Sequence, residues 1–96
     1  MNKSYTKGRR IELLAKKKLE AEGYLVIRSA ASKGPIDLVA INSVKTRLIQ
    51  VKTRKPTKRQ MQELNKLVAT GIEADVEVWI YKGKGVFQKK EIEVWI

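Results

Sequence analysis

The stretch Gly34 to Lys52, GPIDLVAINSVKTRLIQVK, holds two short runs of alternating side chains on either side of a tight polar loop. Over 36–42, Asp37, Val39 and Ile41 alternate with Ile36, Leu38 and Ala40. Over 46–52, Leu48, Gln50 and Lys52 alternate with Ile49 and Val51. A period of two in runs rich in β-branched residues predicts two strands, each with two distinct faces. If Asn42 to Lys45 forms the loop of a hairpin, Ile41 pairs with Thr46, and counting back along the ladder brings Asp37 opposite Gln50. A tighter loop of Ser43-Val44 keeps the same register. Directly opposed residues of an antiparallel pair have Cβ atoms roughly 5 Å apart. A carboxylate, a side-chain amide and, one pleat along, the Lys52 ammonium therefore converge on one patch able to hold a metal ion.

Composition bounds what that patch can serve. Ninety-six residues with 43% hydrophobic and 32% charged side chains predict one globular domain, 1–96, with a single core. The 21 Lys and Arg outnumber the 10 Asp and Glu, for a formal charge of +11. Polyanions are the natural partners of such a surface, whether DNA, RNA or a ribosome, and an anionic membrane surface satisfies the same charge. No apolar run approaches a spanning helix and the N-terminus lacks a signal-peptide core, so the expected location is the cytoplasm, with no membrane partner. With no cysteine and no histidine, thiolate and imidazole chemistry are excluded. Catalysis must rest on carboxylates, amides, lysine and a hard cation.

Around the central hairpin the chain is equally patterned. Residues 8–22 place Ile11, Leu14, Ala15 and Leu19 on one side of a helical period and Lys16, Lys17 and Glu20 on the other, with Gly23 as the stop. Leu13 falls on the polar side. Glu12 lies on the border of the apolar stripe, where it either looks into a cleft or pairs with Arg9 or Lys16 at helical spacing. YLVIRS, 24–29, reads as the first strand, with Ala30 to Pro35 as a loop. Thr57-x-x-Gln60 fits a capping box for a second helix over about 57–70, with Met61, Leu64, Leu67 and Val68 on its apolar side. The remainder, VEVWIY at 76–81, the turn KGKG and a strand over 86–96, reads as a hairpin. Its last residues, Trp95 and Ile96, are apolar on a strand that is either shielded or used to pair with a second subunit.

The ordered set of Glu12, Gly34-x-x-Asp37, twelve further residues and Gln50-Val51-Lys52 resembles the PD-(D/E)XK nuclease superfamily. More narrowly, KGRRIELLAKKKLEAEGYLVIRSAASKGPIDLVAI followed by QVK is similar to the archaeal Holliday junction resolvases, over residues 7 to about 67. The resemblance implies a restriction-endonuclease-like core, a central mixed sheet of about five strands flanked by two helices. It also implies a metal-dependent DNA endonuclease selective for branched substrates, acting as a homodimer with no small-molecule cofactor. Carried over residue by residue, Asp37 and the Val51 carbonyl would bind Mg²⁺, with Mn²⁺ as a substitute, and Glu12 would complete the shell. Lys52 would orient or activate the attacking water, and Ser32 and Gln60 would support the scissile phosphate. Lys7, Arg9, Arg10, Lys33, Arg54, Lys55, Lys58, Arg59 and Gln60 are the candidate DNA contacts. The chemistry is consistent, because Mg²⁺ takes oxygen ligands and neutralises charge building on a phosphodiester.

One departure changes the electrostatics. Gln50 stands where the family places a second acidic ligand; its carbonyl oxygen can ligate a hard cation but brings no charge. Two other readings therefore stay open beside the nuclease. One is a catalytically silent nucleic-acid-binding module on the same scaffold, for which Gln50 speaks. The other is a basic RNA-binding protein, for which the composition speaks. Taken singly, Asp37 is an ordinary strand-start residue and Lys52 one more solvated lysine, and only the ordered set argues for a site.

Overall fold

Gly8, where the amphipathic pattern begins, turns out to lie inside the first helix. In this computed structural model, which describes residues 3–29 and 34–93, α1 runs Lys3–Ala21. A glycine costs a helix interior only about 1 kcal/mol and no proline precedes it, so the helix extends N-terminally through it. The C-terminal stop is the expected one. Gly23 has φ +95, the left-handed conformation in which the Tyr24 N–H reaches Leu19 O and the Gly23 N–H reaches Glu20 O, at 3.2 and 3.0 Å. That is a Schellman closure, and it turns the chain directly into the sheet.

Five strands follow in the spatial order β1-β2-β3-β4-β5: β1 (Leu25–Arg28), β2 (Leu38–Ile41), β3 (Thr46–Lys52), β4 (Asp75–Gly83) and β5 (Val86–Glu91). The pairs β1·β2 and β2·β3 are antiparallel. The second helix, α2 (Lys58–Ala69), is the crossover that lets β4 run parallel to β3, as parallel neighbours require. β5 then returns antiparallel, so the sheet is mixed, as expected. The central hairpin has the anticipated register, with Ile41 opposite Thr46 and Leu38 opposite Ile49. Its loop is closed by the Asn42 side chain, whose Oδ1 accepts from the N–H groups of Val44 and Lys45 at 2.8 and 2.9 Å.

The two helices cover opposite faces. On one, Ala15 and Leu19 of α1 pack on Val26, Leu38, Ala40, Ile49 and Trp79, all buried. On the other, Leu64 packs on Val76, Val78, Ile80 and Ile92, with Met61, Leu67 and Val68 beside them. Each fully buried large apolar side chain is worth about 1.5–3 kcal/mol, and the alternation along β3 and β4 supplies both faces at once. α2 starts with the capping box intact: Thr57 Oγ1 accepts from Gln60 N–H at 3.2 Å and Gln60 Oε1 accepts from Thr57 N–H at 2.9 Å. A Thr cap of this kind contributes about 1 kcal/mol.

Two strands depart from the sequence pattern. β1 does not bury all of its apolar side chains: Val26 faces α1, whereas Leu25 and Ile27 are 66% and 52% exposed on the other face. The last strand ends at Glu91, because the Ile92 N–H bonds Val76 O at 2.7 Å and the Ile92 side chain enters the core under α2. The expected continuation of that strand through Trp95 and Ile96 lies outside the described residues. Among the described residues no helix is long and apolar enough to cross a membrane.

Candidate active site

The site forms where β2 begins, β3 ends and α1 passes over them. The regular ladder ends at the Leu38–Ile49 pair. One step on, where the expected register puts Asp37 opposite Gln50, the pairing slips by one residue and the Asp37 N–H reaches Ile49 O rather than Gln50 O. The Asp37 N–H bonds Ile49 O at 2.9 Å, which anchors the residue to β3. Its carboxylate folds over the strand end, and Oδ2 accepts the Val51 N–H at 2.8 Å. That bond fixes the orientation of both the carboxylate and the Val51 peptide, the group whose carbonyl the sequence reading assigns to a cation.

Gln50 is 6% exposed, and its Oε1 is the buried side-chain atom that lacks a hydrogen-bond partner among the described residues. A buried amide oxygen left unpaired costs about 1–3 kcal/mol, so its persistence calls for a ligand. Lys52 follows on the same face of β3, half-buried. The groups that the resemblance assigns to a cation, on Asp37, Gln50, the Val51 carbonyl and Glu12, are all oxygens, which suits a hard divalent cation and no soft one. Glu12 and Lys52 lie close enough to act on the Asp37 charge, whereas Gln50, in phase with Leu48 and paired with Val78, lies on the face of β3 that α2 covers. Among the described residues no cluster of three acidic ligands exists, in keeping with a site in which an amide replaces a carboxylate.

Glu12 arrives from α1 with a partner the sequence reading did not name. Neither Arg9 nor Lys16 pairs with it. Arg28 Nε, at the end of β1, donates to Glu12 Oε1 at 3.1 Å, while Lys16 pairs with Glu20 at 2.9 Å. The cause is topological: β1 follows α1 at once, and Arg28, in phase with Val26, faces the helix. The Asp37 carboxyl is pushed above the ordinary value of 3.8, chiefly by burial and further by the Glu12 charge, against the Val51 N–H, Lys52 and Arg28, which pull it down. An oxygen cluster that raises its own carboxyl in this way is relieved by a cation.

A cleft of about 370 Å³ opens beside these groups, lined by Lys7, Gly8, Ile11, Glu12, Val51, Lys52, Thr53 and Arg54. Its walls carry three basic side chains and the Glu12 carboxylate, the charges needed to seat a phosphate next to a cation. Of the other candidate contacts, Arg9, Arg10, Lys55, Lys58 and Arg59 are all exposed, and Arg59 lies 4.0 Å from Glu63 on the same helix. Gln60 is held in the cap of α2 through its Oε1, so only its NH₂ remains for another partner. Ser32 and Lys33 lie outside the described residues.

A second polar cluster escaped the sequence reading. Arg47, on the α1 face of β3, donates from Nε and Nη2 to the two carboxylate oxygens of Glu77, each at 2.7 Å. Trp79 Nε1 donates to the same carboxylate at 2.9 Å. The guanidinium also lies 5.1 Å from the Tyr24 ring centroid and 5.6 Å from that of Trp79. Both charged residues are at most 9% exposed. Burial alone would push the Glu77 carboxyl up, but the Arg47 and Trp79 hydrogen bonds outweigh it and hold the group below 4.5. The available signal was phase: Arg47 alternates with Ile49 and Val51, and Glu77 with Trp79, so both charges fall on an inward face.

A family model for archaeal Holliday junction resolvases (Hjc) matches residues 3–88, which adds β4 and the start of β5 to the stretch that carried the resemblance. The crossover junction endodeoxyribonuclease Hjc of Methanocaldococcus jannaschii is 38% identical over 71 residues, 72% of this chain and 53% of that protein. The chain thus spans about half the length of the curated relative it matches. The crystal structure of Archaeoglobus fulgidus Hjc, a Holliday junction resolvase, is similar with a TM-score of 0.72 and 26% identity, covering 90% of this chain and 73% of that one.

Proposed function

The chain belongs to the archaeal Holliday junction resolvase family, and from that premise we propose that it is a Mg²⁺-dependent DNA endonuclease that cuts branched DNA. The observation that carries the reading is Gln50 Oε1, buried and without a hydrogen-bond partner among the described residues, at the position of the family's second acidic ligand. A buried carbonyl oxygen without a hydrogen-bond partner is a group that a hard cation can satisfy.

Asp37, Gln50 and the Val51 carbonyl would hold the cation, and Glu12 would join them directly or through water. Bound there, Mg²⁺ supplies an electrophile that offsets charge on the scissile phosphate and acidifies a water. The protein's own groups do the rest. The Val51 N–H locks the Asp37 carboxylate, Lys52 orients the attacking water, and Lys7 and Arg54 line the cleft that receives the phosphate backbone. Arg28 holds Glu12 in place and tempers its charge.

The proposal includes a homodimer, because a four-way junction has two-fold symmetry and resolution needs two symmetry-related cuts. The apolar row of Leu25 and Ile27, exposed on the outermost strand and paired with Ile41 and Val39, is a surface that can receive a second copy. A monomeric mass by sedimentation at tens of micromolar, with and without junction DNA, would remove this part of the proposal.

The test is incubation with a labelled four-way junction, a flap and a linear duplex, with Mg²⁺, Mn²⁺ or chelator. Cleavage of the junction in either metal and none in chelator is the expected result. The Gln50→Glu variant should reach half-maximal cleavage at about tenfold lower Mg²⁺ or less, since a unit charge at ~4 Å from a divalent cation exceeds ~1.4 kcal/mol even in water. The Arg28 partner of Glu12 and the neutral Gln50 together favour one alternative, a silent DNA-binding module. Under that reading the wild-type protein binds junctions but cuts none at any metal concentration, and Gln50→Glu switches cleavage on.

A further inference from the structure

The β4–β5 hairpin stands at the same end of the sheet as the site. Lys52, the last residue of β3, pairs with Ile80, and β4 then continues through Tyr81 and Lys82 to Gly83. At a strand rise of ~3.3 Å per residue the tip projects roughly 10 Å beyond Lys52. The base of the hairpin faces the basic first half of α1 across a groove that Lys7, Arg10 and Tyr81 line together. Lys7 also lines the cleft beside Glu12 and Lys52. One basic track therefore runs from the site, across α1, to the hairpin.

The hairpin is built stiff, and its lysines are placed against local preference. Tyr81 and Phe87 pack at 5.3 Å and Phe87 and Trp79 at 5.4 Å between ring centroids. The Gly85 N–H donates to the Tyr81 hydroxyl at 3.1 Å, which pins the tip to this aromatic stack. Tyr81 pairs with Phe87 and Gly83 with Val86, leaving Lys82 as the extra residue of a β-bulge, a device that re-aims a side chain. The loop residues Lys84 and Gly85 have φ of 53 and 75, the two positive values a type I′ turn requires. Asn or Gly suits the first of these positions, whereas lysine costs about 1 kcal/mol there. A strained lysine at the apex of a rigid turn, beside a bulged lysine, points to a role that needs ammonium groups at that place.

Acidic residues along the same two strands gather at one end, with Lys89 and Lys90 of β5 standing between them and the tip. Glu73, Asp75, Glu77, Glu91 and Glu93 lie at the far end, five of the chain's 10 acidic residues. They crowd enough that Asp75 pushes the Glu91 carboxyl up. Lys82 and Lys84 lie at the site end, both exposed. Such polarity directs a polyanion to one end of the sheet rather than to the protein at large.

We propose that the tip of the β4–β5 hairpin, through Lys82 and Lys84, grips the phosphate backbone of a duplex arm about three base pairs from the cleaved bond. The spacing follows from the ~10 Å reach and the 3.4 Å rise per base pair. The inference rests on the DNA-endonuclease reading for its ligand, and it makes the hairpin a positioning element rather than part of the chemistry.

The test is the salt dependence of binding to a fluorescent four-way junction in chelator, where no cleavage occurs. Lys84→Asn removes one ammonium and relaxes the turn, so the variant should melt no lower than wild type. It should lower the magnitude of the slope of log K against log salt by about 0.9, and Lys82→Gln by a similar step, one phosphate contact each. Lys45→Gln, the same charge change at the far end, where Lys45 pairs with Asp75 at 3.1 Å, should leave the slope unchanged. Equal slopes for wild type and both hairpin variants would overturn the proposal, and so would an equal drop in Lys45→Gln, which would make the effect one of net charge. Wild-type cleavage in Mg²⁺, measured in parallel, reports separately on the endonuclease reading. Tight binding without cleavage removes that reading and leaves the hairpin contact standing or falling on its slopes.

Discussion

Asp37→Asn is expected to abolish cleavage while making the metal-free protein more stable. Changing groups that merely orient metal ligands costs 10–100-fold, so removal of the ligand charge itself should cost more than about 100-fold in rate at saturating Mg²⁺. The substitution is conservative in shape, and the asparagine oxygen can still accept the Val51 N–H that the carboxylate accepts at 2.8 Å. What it removes is an ionised group that burial, and then Glu12, push above 3.8. A carboxyl raised in the folded state stabilises the fold below the unfolded value and loses that contribution as pH rises through the folded value. At neutral pH the ionised Asp37 is therefore a cost that the variant lacks. In chelator the variant should melt higher than wild type, with the margin closing as pH falls to about 3.8. Added Mg²⁺ should raise the wild-type melting temperature and leave the variant unmoved. Junction binding should hold or tighten, because a negative charge facing phosphate is gone. Retained Mg²⁺-dependent cleavage by Asp37→Asn would place the chemistry elsewhere.

Much of the central hairpin was legible from its residues. The slip at Asp37, whose N–H bonds Ile49 O, was not legible. Strand alternation, the Asn42 loop and the register from Ile41–Thr46 to Leu38–Ile49 depend on contacts close in sequence, where pattern and turn chemistry act directly. The α2 cap was legible for the same reason, since Thr57 and Gln60 meet within one turn. The partner of Glu12 was not. Helical spacing offered Arg9 and Lys16, but Arg28 reaches Glu12 only because the Gly23 closure sends β1 back along α1, and no local rule chooses among the three arginine and lysine candidates. Arg47 and Glu77 are harder still. Thirty residues apart in sequence, they meet because α2 carries β4 alongside β3, and the register of a parallel pair is set by the whole crossover. The unpaired Gln50 oxygen is a property of packing on both sides of the strand. The sequence marks the residue as a departure from the family, while only the fold shows that its oxygen is buried without a hydrogen-bond partner among the described residues.

The second large effect lies on the face of the sheet covered by α1. Glu77→Gln should destabilise the protein by about 3–5 kcal/mol, the cost of breaking a buried ion pair from one side. For a domain of this size each kcal/mol lowers the melting temperature by about 4–8 °C, so a fall of at least about 12 °C is expected. The geometry leaves the amide no good pose. One Glu77 oxygen accepts from Arg47 Nη2 and Trp79 Nε1, and the other accepts from Arg47 Nε. Whichever oxygen becomes NH₂, a donor then faces a donor, and the guanidinium stays buried between Tyr24 and Trp79 without its counter-charge. The pH dependence identifies the cause. Although burial raises it, the Glu77 carboxyl sits below 4.5 because Arg47 and Trp79 hold the ionised form. A carboxyl lowered in the folded state contributes stability that is complete above the unfolded value and is lost as pH falls through the folded one. The gap between wild type and variant should thus be widest above about pH 4.5 and should narrow under acid, opposite in sign to the gain expected for Asp37→Asn although both differences close as pH falls. Replacing both partners, Arg47→Met with Glu77→Met, should recover much of the loss, since well-packed apolar groups can substitute for a buried pair. A melting temperature for Glu77→Gln within a few degrees of wild type at neutral pH would mean that the pair adds nothing to the stability of the sheet.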